Sequence, residues 1–513
     1  MSRHVPVQHS LAVTTGRPVH LGEYLARAAS QRADHAALVV GATRLSWSDV
    51  HRQADACAAG LRARGVGAGD RVGLFLGNRP ELVIAYFGAL RAGAVVVPIN
   101  PALTAAEVGP LVEHVGLSLV VVDRATSDVA EAAAPGVPRV LAAAGTGEGF
   151  FQSLISGDDP PVVDAEGGEA LAMVIYTSGT SGDAKGAMLT HRALIASVEQ
   201  VAAAPVAVIE PDDVVLMLLP LTHVYSLAGT LGALTRGAAT GVLVDGVDAA
   251  EALTLLHQYG ITNVPGAPAL WAAWASSPDA VELIGDLRIA FSGSAELPTE
   301  VQQRIHTLTG WYVHEGYGLT EAAPGVSSTV VSGRAKPGSV GRPFLGVEVR
   351  LVDDEGADID PVDGDPGEIW IKGDNLFSGY WPDGHGGPDS DGWFATGDVA
   401  FADEEGDLHI VDRRKDVVIV SGFNVYPHEV EAVLLQHPGV REAAVVGVQD
   451  DRSGEAVKAF VVTDGAVEVD DLHSHAAARL ARFKQPRVIE VVSDLPHSLS
   501  GEVARARIDQ GQA

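Results

Sequence analysis

Cysteine is almost absent from this chain, because Cys57 is the only one among 513 residues. A single thiol excludes an internal disulfide and is typical of a reducing cytosol, so we expect a cytoplasmic protein. Cys57 lies in a helical-looking run, 50–61, and the sequence offers no partner that would make it a catalytic thiol. The pattern predicts a small core residue.

Lysine and arginine are also scarce: there are 35 of them against 66 aspartates and glutamates, which gives a formal net charge of −31. Non-specific binding to nucleic acid or to an anionic membrane depends on excess positive charge, so we expect neither partner. A polyphosphate site in such a chain would have to be built from a few local cations and backbone N–H groups.

Long apolar runs are missing as well. The first twenty residues contain no continuous apolar segment, so no signal peptide is predicted. The best membrane candidate, 214–235, has no charged residue but contains Pro220, Thr222 and His223. A buried strand, a polar loop and a buried helix explain this stretch better than a transmembrane segment.

The chain does have a globular composition, 47% hydrophobic, and a length that suits about three domain-sized units. Between residues 20 and 165, helical and strand patterns alternate, which predicts a mostly parallel sheet with helices on both faces. The predicted helices are 21–31, 46–64, 80–91 and 104–114, and the predicted strands are 71–76, 94–99, 119–122, 170–175, 214–219, 239–244, 261–264 and 287–292. We assign no chemistry to residues 20–165.

A glycine-rich segment follows the apolar strand 170–175. Its sequence is Thr177-Ser178-Gly179-Thr180-Ser181-Gly182-Asp183-Ala184-Lys185-Gly186. Glycines let backbone N–H groups turn toward one point, hydroxyls add donors and Lys185 adds a cation, so the segment predicts a triphosphate cradle between a strand and a helix capped by Thr190. Its spacing is not that of the common P-loop. The alternative, a flexible linker, would not need a preceding strand and an internal lysine.

This segment resembles the signature loop of the adenylate-forming superfamily, which includes acyl-CoA synthetases, aryl-CoA ligases, luciferases and peptide-synthetase adenylation domains. The resemblance implies an α/β fold. A large N-terminal domain, 1–412, would contain two mixed α/β sheets and a β-barrel-like subdomain. A small mobile α+β C-terminal domain, 413–513, would turn about a hinge near Lys415.

A second motif supports the resemblance: Glu315-Gly316-Tyr317-Gly318-Leu319-Thr320-Glu321. Glycines beside Tyr317 allow close approach to a flat ring, and a glutamate can hold Mg²⁺ against phosphate oxygens. Taken alone, the Thr-Glu pair could simply be a helix start. In the superfamily, Glu315 and Gly316 belong to the nucleotide site, Tyr317 lies near adenine, and Thr320 and Glu321 lie at phosphate and metal. The motif looks most like that of fatty acyl-CoA synthetases and 4-coumarate–CoA-ligase-like enzymes.

Two further stretches follow predicted strands. His223 and Tyr225 come after 214–219, and either line an acyl channel together with Gly318, as the resemblance implies, or are ordinary core residues. Gly293 and Ser294 come after 287–292. The resemblance places this turn against adenine and the acyl group, with Ser294 where a second glycine is usual.

From 338 to 411 the periodicity becomes two, which predicts an antiparallel β region with strands at 347–352, 367–372 and 409–411. The resemblance implies that Asp398 binds both ribose hydroxyls, that Arg413 contacts ribose and phosphate, and that Gly422 lets a pantetheine arm pass. A plain turn aspartate and a solvated charge run are the alternatives. Residues 416–513 predict two or three strands and two helices.

One position departs from the superfamily. Its C-terminal motif ends in a lysine that bridges carboxylate and α-phosphate, and this chain has Glu502 there. Two like unit charges about 4 Å apart at an effective dielectric of 20 repel by ~4 kcal/mol, so we expect adenylation to be impaired or altered. An introduced substitution, a natural change of reaction and a degenerate enzyme remain open.

The resemblance implies an acid–thiol ligase that uses ATP and Mg²⁺ to convert a fatty or aryl acid to acyl-AMP and transfers the acyl group to a thiol, CoA. Alternatives are loading of an acyl carrier protein, nitrite-dependent diazo formation, or nucleotide binding without turnover. We expect no transmembrane segment and a monomer or homodimer.

Overall fold

The computed structural model describes residues 18–143, 147, 149–155, 167–177, 185–277, 284, 286–353, 355–360, 364–413, 416, 418–420, 423–450, 454–465, 467–480, 482, 484–497, 503, 505 and 508. These residues form two compact units. The larger unit contains 18–348 and 372–394, and the smaller unit contains 349–371 and the described residues from 395 onward.

The α-helices of the described residues run as follows: α1 Gly22–Gln31, α2 Trp47–Ala63, α3 Pro80–Ala92, α4 Ala105–Val115, α5 Ser127–Ala133, α6 His191–Ala202, α7 Leu231–Gly237, α8 Ala249–Tyr259, α9 Pro268–Ser276, α10 Thr299–Thr309, α11 Thr329–Ser332, α12 Pro427–Leu435 and α13 Val469–Ala477. Short 3₁₀ turns cover Phe151–Ser153 and Thr320–Ala322, and a π-helical turn covers Tyr225–Thr230.

The strands are β1 Ala36–Val40, β2 Thr43–Ser46, β3 Arg71–Phe75, β4 Val95–Pro98, β5 Leu119–Val122, β6 Arg139–Leu141, β7 Leu171–Thr177, β8 Lys185–Thr190, β9 Val214–Met217, β10 Thr240–Leu243, β11 Asn263–Gly266, β12 Ile289–Ser292, β13 His314–Gly318, β14 Gly325–Ser328, β15 Arg342–Pro343, β16 Val347–Val352, β17 Gly367–Gly373, β18 Phe394–Ala402, β19 Leu408–Arg413, β20 Val418–Val420, β21 Phe423–Val425, β22 Val440–Asp450, β23 Gly454–Thr463 and β24 Val488–Val492.

Helix boundaries follow from local chemistry. Ser46 caps α2 by accepting from the N–H of Asp49, and the Asp49 carboxylate accepts in return from the N–H of Ser46, which forms a capping box. Helix α3 begins at Pro80 and ends before Gly93, whose φ of 82° is the left-handed conformation that glycine adopts freely. The predicted helices 21–31, 46–64, 80–91 and 104–114 are confirmed to within one residue at each end.

Two large sheets belong to the larger unit. One has six strands in the order β6-β5-β3-β4-β7-β8, parallel except for the last pair. The other has nine strands in the order β15-β14-β13-β12-β11-β9-β10-β1-β2. Its six central strands, β13 to β1, are parallel. The prediction of mixed α/β sheets is confirmed. The nine-stranded sheet draws its strands from distant parts of the chain, because β1 pairs with β10.

A four-stranded sheet, β16-β17-β18-β19, contains the strands predicted near 347–352, 367–372 and 409–411. A five-stranded sheet, in which β21, β20, β23 and β22 are adjacent and β24 pairs with β23, carries α12 and α13. The prediction of two or three strands in the C-terminal part was wrong, because the described residues from 416 onward already form five. Three of them have only three to five residues, too few to give a clear alternating pattern.

The core of the larger unit includes Cys57, which is fully buried on α2 and packs against Gly88 of α3. Burial raises the pKa of the Cys57 thiol to about 12, so it stays protonated and unreactive, and its prediction as a core residue is confirmed. In stretch 214–235, strand β9 is followed by a loop and then by helical turns, as expected. Among the described residues, no helix combines the length and the apolarity that crossing a bilayer requires.

Candidate functional site

The glycine-rich segment joins two strands. Thr177 is the last residue of β7 and Lys185 is the first of β8, and they are paired across an antiparallel hairpin. Our prediction that the segment leads from a strand directly into a helix was wrong, because six residues of β8 come before α6. Thr190 does cap α6, by accepting from the N–H of Ala193. The predicted cradle residues between the strands, Ser178, Gly179, Thr180 and Ser181, lie outside the described residues.

Tyr380 brings two distant predicted site residues to one place. The Lys185 ammonium lies over the Tyr380 ring, 5.1 Å from its centroid. The Tyr380 hydroxyl donates to Oε1 of Glu321 over 2.6 Å. Lys185 was predicted to bind phosphate and Glu321 to bind metal, so these two positions approach each other through an aromatic side chain that the sequence did not single out.

The turn that carries Thr320 and Glu321 is held by its backbone. Asn375, which is fully buried, donates from Nδ2 to the carbonyls of Ala322 and Gly325 over 2.8 and 2.9 Å. The N–H of Phe377 donates to the carbonyl of Glu321 over 2.9 Å. These bonds occupy the backbone groups and leave the carboxylate of Glu321 available for other contacts, with the residue 9% exposed.

Strand β13 carries Glu315, Gly316, Tyr317 and Gly318. A β-carbon at Gly318 would lie 2.1 Å from the carbonyl oxygen of Pro324, and one at Gly316 would lie 3.1 Å from the carbonyl oxygen of Ser327. These glycines therefore let the chain's own backbone approach β13. Tyr317 is half-buried and paired with Ser327 on β14, and its place near adenine remains a prediction.

Glu315 is buried at the centre of this strand, with 4% of its surface exposed. Its Oε1 accepts from Nε2 of Gln302 over 2.9 Å, and its Oε2 accepts from the N–H of Leu297 over 3.1 Å. Burial raises the pKa of Glu315 to about 7, although both hydrogen bonds favour the charged form. The Glu315 carboxylate thus fixes the turn that follows β12.

That turn contains Gly293 and Ser294. Ser294 has a φ of 73°, the left-handed conformation that favours glycine, which agrees with glycine being usual at this position. Gly293 packs against Tyr225, because a β-carbon there would lie 3.2 Å from the tyrosine ring. Phe291 also lies beside the Tyr225 ring, with centroids 6.3 Å apart.

Tyr225 opens a π-helical turn, a rare conformation that is frequent at functional sites. Its hydroxyl is buried and has no hydrogen-bond partner among the described residues. His223 is solvent-exposed, yet the surrounding protein lowers the pKa of its imidazole by desolvation. An imidazole that water reaches and protein surrounds fits a concave site. Gly293 and Gly318 lie at or just after the carboxyl ends of β12 and β13, the edge of a parallel sheet where ligands usually bind, and His223 lies in the loop that follows β9.

The smaller unit carries the predicted ribose contacts. Asp398 of β18 lies directly opposite Arg413 of β19 in the antiparallel register. The N–H of Asp398 donates to Oγ1 of Thr396, and that hydroxyl donates to the carbonyl of Ile369 over 2.9 Å. Asp398 is therefore fixed by a hydrogen-bonded turn next to the strand that carries Arg413. Lys415, Gly422 and Glu502 lie outside the described residues.

Sequence reasoning missed three residues. Tyr380 and Asn375 lie in a segment without helical or strand periodicity, so no local signal marked them. In the smaller unit, Arg505 makes a bidentate pair with Glu431 of α12, with Nη2 2.8 and 2.6 Å from the two carboxylate oxygens. Glu431 also accepts from the N–H of Val445, so it connects Arg505 with β22.

Comparisons with known proteins identify the family of this chain. Residues 25–381 match the model of the AMP-binding enzyme family, and residues 429–502 match that of the AMP-binding enzyme C-terminal domain. The chain is 32% identical to a long-chain-fatty-acid–CoA ligase of Yersinia pestis, with 99% of this chain and 97% of the relative covered. It is 34% identical to 4-coumarate–CoA ligase 5 of Oryza sativa subsp. japonica, over 96% and 94% of the two chains.

Among solved structures, the ATP-bound MatB of Rhodopseudomonas palustris superposes with a TM-score of 0.87 at 31% identity, covering 96% of this chain and 98% of the other. The likeness thus extends over both units and nearly the full length of each relative.

Proposed function

Because this chain belongs to the AMP-binding enzyme family and is an adenylate-forming acid–thiol ligase, we propose that it joins a fatty or aryl carboxylic acid to coenzyme A through an acyl-AMP, with a first half-reaction that Glu502 slows. The observation that carries this proposal is the convergence of Lys185 and Glu321 on Tyr380. A cation and a carboxylate that both contact one tyrosine suit a polyphosphate accompanied by a divalent metal ion.

Lys185 would hold the phosphate tail, together with N–H groups of the glycine-rich segment. Glu321 would hold Mg²⁺: one of its oxygens accepts from Tyr380, while Oε2 makes no hydrogen bond within the described part of the chain. A carboxylate oxygen is the ligand that Mg²⁺ prefers, so the residues fit the ion. When bound, the ion neutralises charge on the phosphate oxygens.

Asp398 and Arg413 would bind the ribose. A carboxylate can accept from two hydroxyls at once, and Arg413, which is paired with Asp398 in the strand register, would supply a cation for ribose and phosphate. Splitting the overall reaction through acyl-AMP gives the thiol a better leaving group than hydroxide. We propose that residues near Lys415 act as the hinge between the N-terminal domain, 1–412, and the C-terminal domain, 413–513, for the second half-reaction.

The acid would bind near His223, Tyr225, Gly293 and Gly318. The buried Tyr225 hydroxyl has no partner among the described residues, and such a group costs about 1–3 kcal/mol when left unsatisfied. An acid with a hydrogen-bonding group near the far end of a short chain or ring would satisfy it. This favours substituted aryl acids over plain alkyl acids.

Pyrophosphate release with a panel of acids tests the proposal. The panel would contain long-chain and medium-chain fatty acids and phenylpropenoic acids with and without a ring hydroxyl, each with ATP and Mg²⁺. Release that depends on one class of acid, followed by thioester formation when CoA is added, is the expected result. No release from either the wild-type chain or Glu502→Lys would favour a nucleotide-binding protein without turnover and would reject the ligase.

Variants at residue 502 and at a control position test whether a charge change must occur at residue 502 to alter adenylation. Glu502→Lys removes a repulsion of ~4 kcal/mol and supplies a cation, so adenylation should accelerate by roughly 10- to 1000-fold, since about 1.4 kcal/mol is a factor of ten. Glu502→Gln should fall between the two. Glu404→Lys makes the same charge change at an exposed turn of the smaller unit and serves as the control. Equal adenylation rates for Glu502→Lys, Glu502→Gln and Glu404→Lys would mean that residue 502 does not face the reacting groups.

A further inference from the structure

The backbone fixes Tyr380 beside both of its partners. The segment that contains it pairs with β8 through backbone hydrogen bonds. The N–H of Ser378 donates to the carbonyl of Met188, whose own N–H donates to the carbonyl of Gly379. The N–H of Trp381 donates to the carbonyl of Gly186. Three residues before Tyr380, Phe377 bonds to the carbonyl of Glu321. The chain on either side of Tyr380 is therefore tied to the strand that begins at Lys185 and to the turn that carries Glu321.

The side chain of Tyr380 contacts two opposite charges. Its ring faces the Lys185 ammonium and its hydroxyl contacts the Glu321 carboxylate. Lys185 and Glu321 are both described, and they form no ion pair with each other. In a partly buried place, opposite charges without a spacer would pair and neutralise one another, and such pairs are strong when solvent is limited. Neither Lys185 nor Glu321 would then be available to bind a ligand.

The hydroxyl of Tyr380 is bonded to Oε1 of Glu321. A phenol that donates to a carboxylate over 2.6 Å makes a strong charge-assisted hydrogen bond. It orients the carboxylate with one oxygen occupied and the other available.

We propose that Tyr380 is a positioning residue that keeps Lys185 and Glu321 apart and orients the Glu321 carboxylate, so that both can engage the same polyphosphate and its metal ion. This inference rests on the proposed function, in which Lys185 binds phosphate and Glu321 binds the ion. Groups that orient a metal ligand commonly change metal affinity by about 10–100-fold when removed.

Nucleotide binding provides the test, because all the variants compared share Glu502 and no acid is needed. ATP is titrated into wild-type protein, Tyr380→Phe and Tyr380→Leu by calorimetry, once with excess EDTA and once over a range of Mg²⁺ concentrations. Tyr259→Phe is the control, since it removes a hydroxyl that bonds to the carbonyl of Gly41. Thermal unfolding of each variant is recorded alongside.

Tyr380→Phe keeps the ring over Lys185 and loses the donor. Its ATP affinity in EDTA should stay within twofold of wild type, while the Mg²⁺ concentration for half-maximal enhancement should rise about 10-fold. Tyr380→Leu also loses the spacer, so Lys185 and Glu321 should pair and ATP affinity in EDTA should fall about 10-fold as well. If the leucine variant does not fold, the phenylalanine variant decides the question alone.

Two results would overturn the inference. One is a Mg²⁺ requirement in Tyr380→Phe within twofold of wild type, and the other is an equal loss of ATP affinity with and without Mg²⁺, which would indicate general damage. Failure of the proposed function looks different: the wild-type chain itself would then bind no ATP under any condition, and the inference would fall with it.

Discussion

The carboxylate of Glu315 accepts a hydrogen bond from the backbone N–H of Leu297 over 3.1 Å, which links β13 to the turn that follows β12. This turn holds Ser294 in a left-handed conformation beside Gly293. A buried acid whose pKa lies near neutrality therefore supports the part of the molecule where we place adenine and the acyl group. The relationship gives a prediction about pH.

Glu315→Gln should change the dependence of stability on pH. The folded-state pKa of Glu315, about 7, lies above the ordinary value of 4.5. Between pH 4.5 and pH 7 the folded state therefore binds more protons than the unfolded state does. The stability that protonated Glu315 contributes is fully present below about pH 4.5 and is lost as pH rises through 7. Relative to wild type, the glutamine variant should gain up to about 3 kcal/mol between pH 5 and pH 8.

Unfolding of both proteins by denaturant at several pH values measures this difference, and other titrating groups cancel in the comparison. Glu300→Gln, at an exposed position of α10, reports the effect of removing a carboxylate elsewhere in the same unit. A constant difference between wild type and Glu315→Gln across the pH range would contradict the prediction.

Gly318→Ala should destabilise the larger unit. The added β-carbon would lie 2.1 Å from the carbonyl oxygen of Pro324, a backbone atom that cannot move without shifting the whole turn. Overpacking of this kind costs about 1–3 kcal/mol, and a backbone clash belongs at the upper end. Thermal unfolding should show a melting temperature lower by several degrees.

Gly67→Ala is the matched control for this prediction, because a β-carbon there meets nothing within 4 Å and the backbone is not left-handed. Equal melting temperatures for wild type, Gly318→Ala and Gly67→Ala would contradict the close approach of Gly318 to the carbonyl oxygen of Pro324.

Lys185→Met should weaken ATP binding. Methionine keeps most of the length and apolar stem of lysine but not the charge, and a hydrogen bond to a charged group contributes about 1.5–3 kcal/mol, which corresponds to roughly a 10- to 100-fold rise in Kd. Lys185→Arg keeps the charge and should retain part of the affinity. Calorimetric titration with ATP measures both variants, and unaltered affinity in Lys185→Met would remove this residue from the phosphate site.

Asp398→Ala should reduce discrimination between ATP and 2′-deoxy-ATP. If Asp398 accepts from both ribose hydroxyls, wild type should bind ATP more tightly than the deoxy analogue, and the variant should bind the two nearly equally. Competition binding with the two nucleotides provides the measurement. Asp403→Ala, in the next turn of the same unit, is the control. A preference for ATP that survives in Asp398→Ala would assign ribose recognition to other residues.

Local chemistry in the sequence determined the elements and the family. The ends of α2 and α3 were marked by the cap Ser46, by Pro80 and by Gly93. The alternating pattern of Val347–Val352 marked β16 correctly. These signals could be read because they act over a few neighbouring residues. The motifs around Lys185, Glu321 and Asp398 indicated an adenylate-forming enzyme by their order along the chain. They also exposed the departure at Glu502, which needs no coordinates to be seen.

Only the tertiary structure decided which residues meet. Strand β8 is defined by its pairing with β7 on one edge and with the Tyr380 segment on the other, and neither partner can be read from its own six residues. The pairing of β1 with β10 and the contact of Tyr380 with Lys185 and Glu321 join segments that are remote in sequence. Such contacts depend on long-range backbone hydrogen bonds and shared burial, and these are properties of the packed chain as a whole.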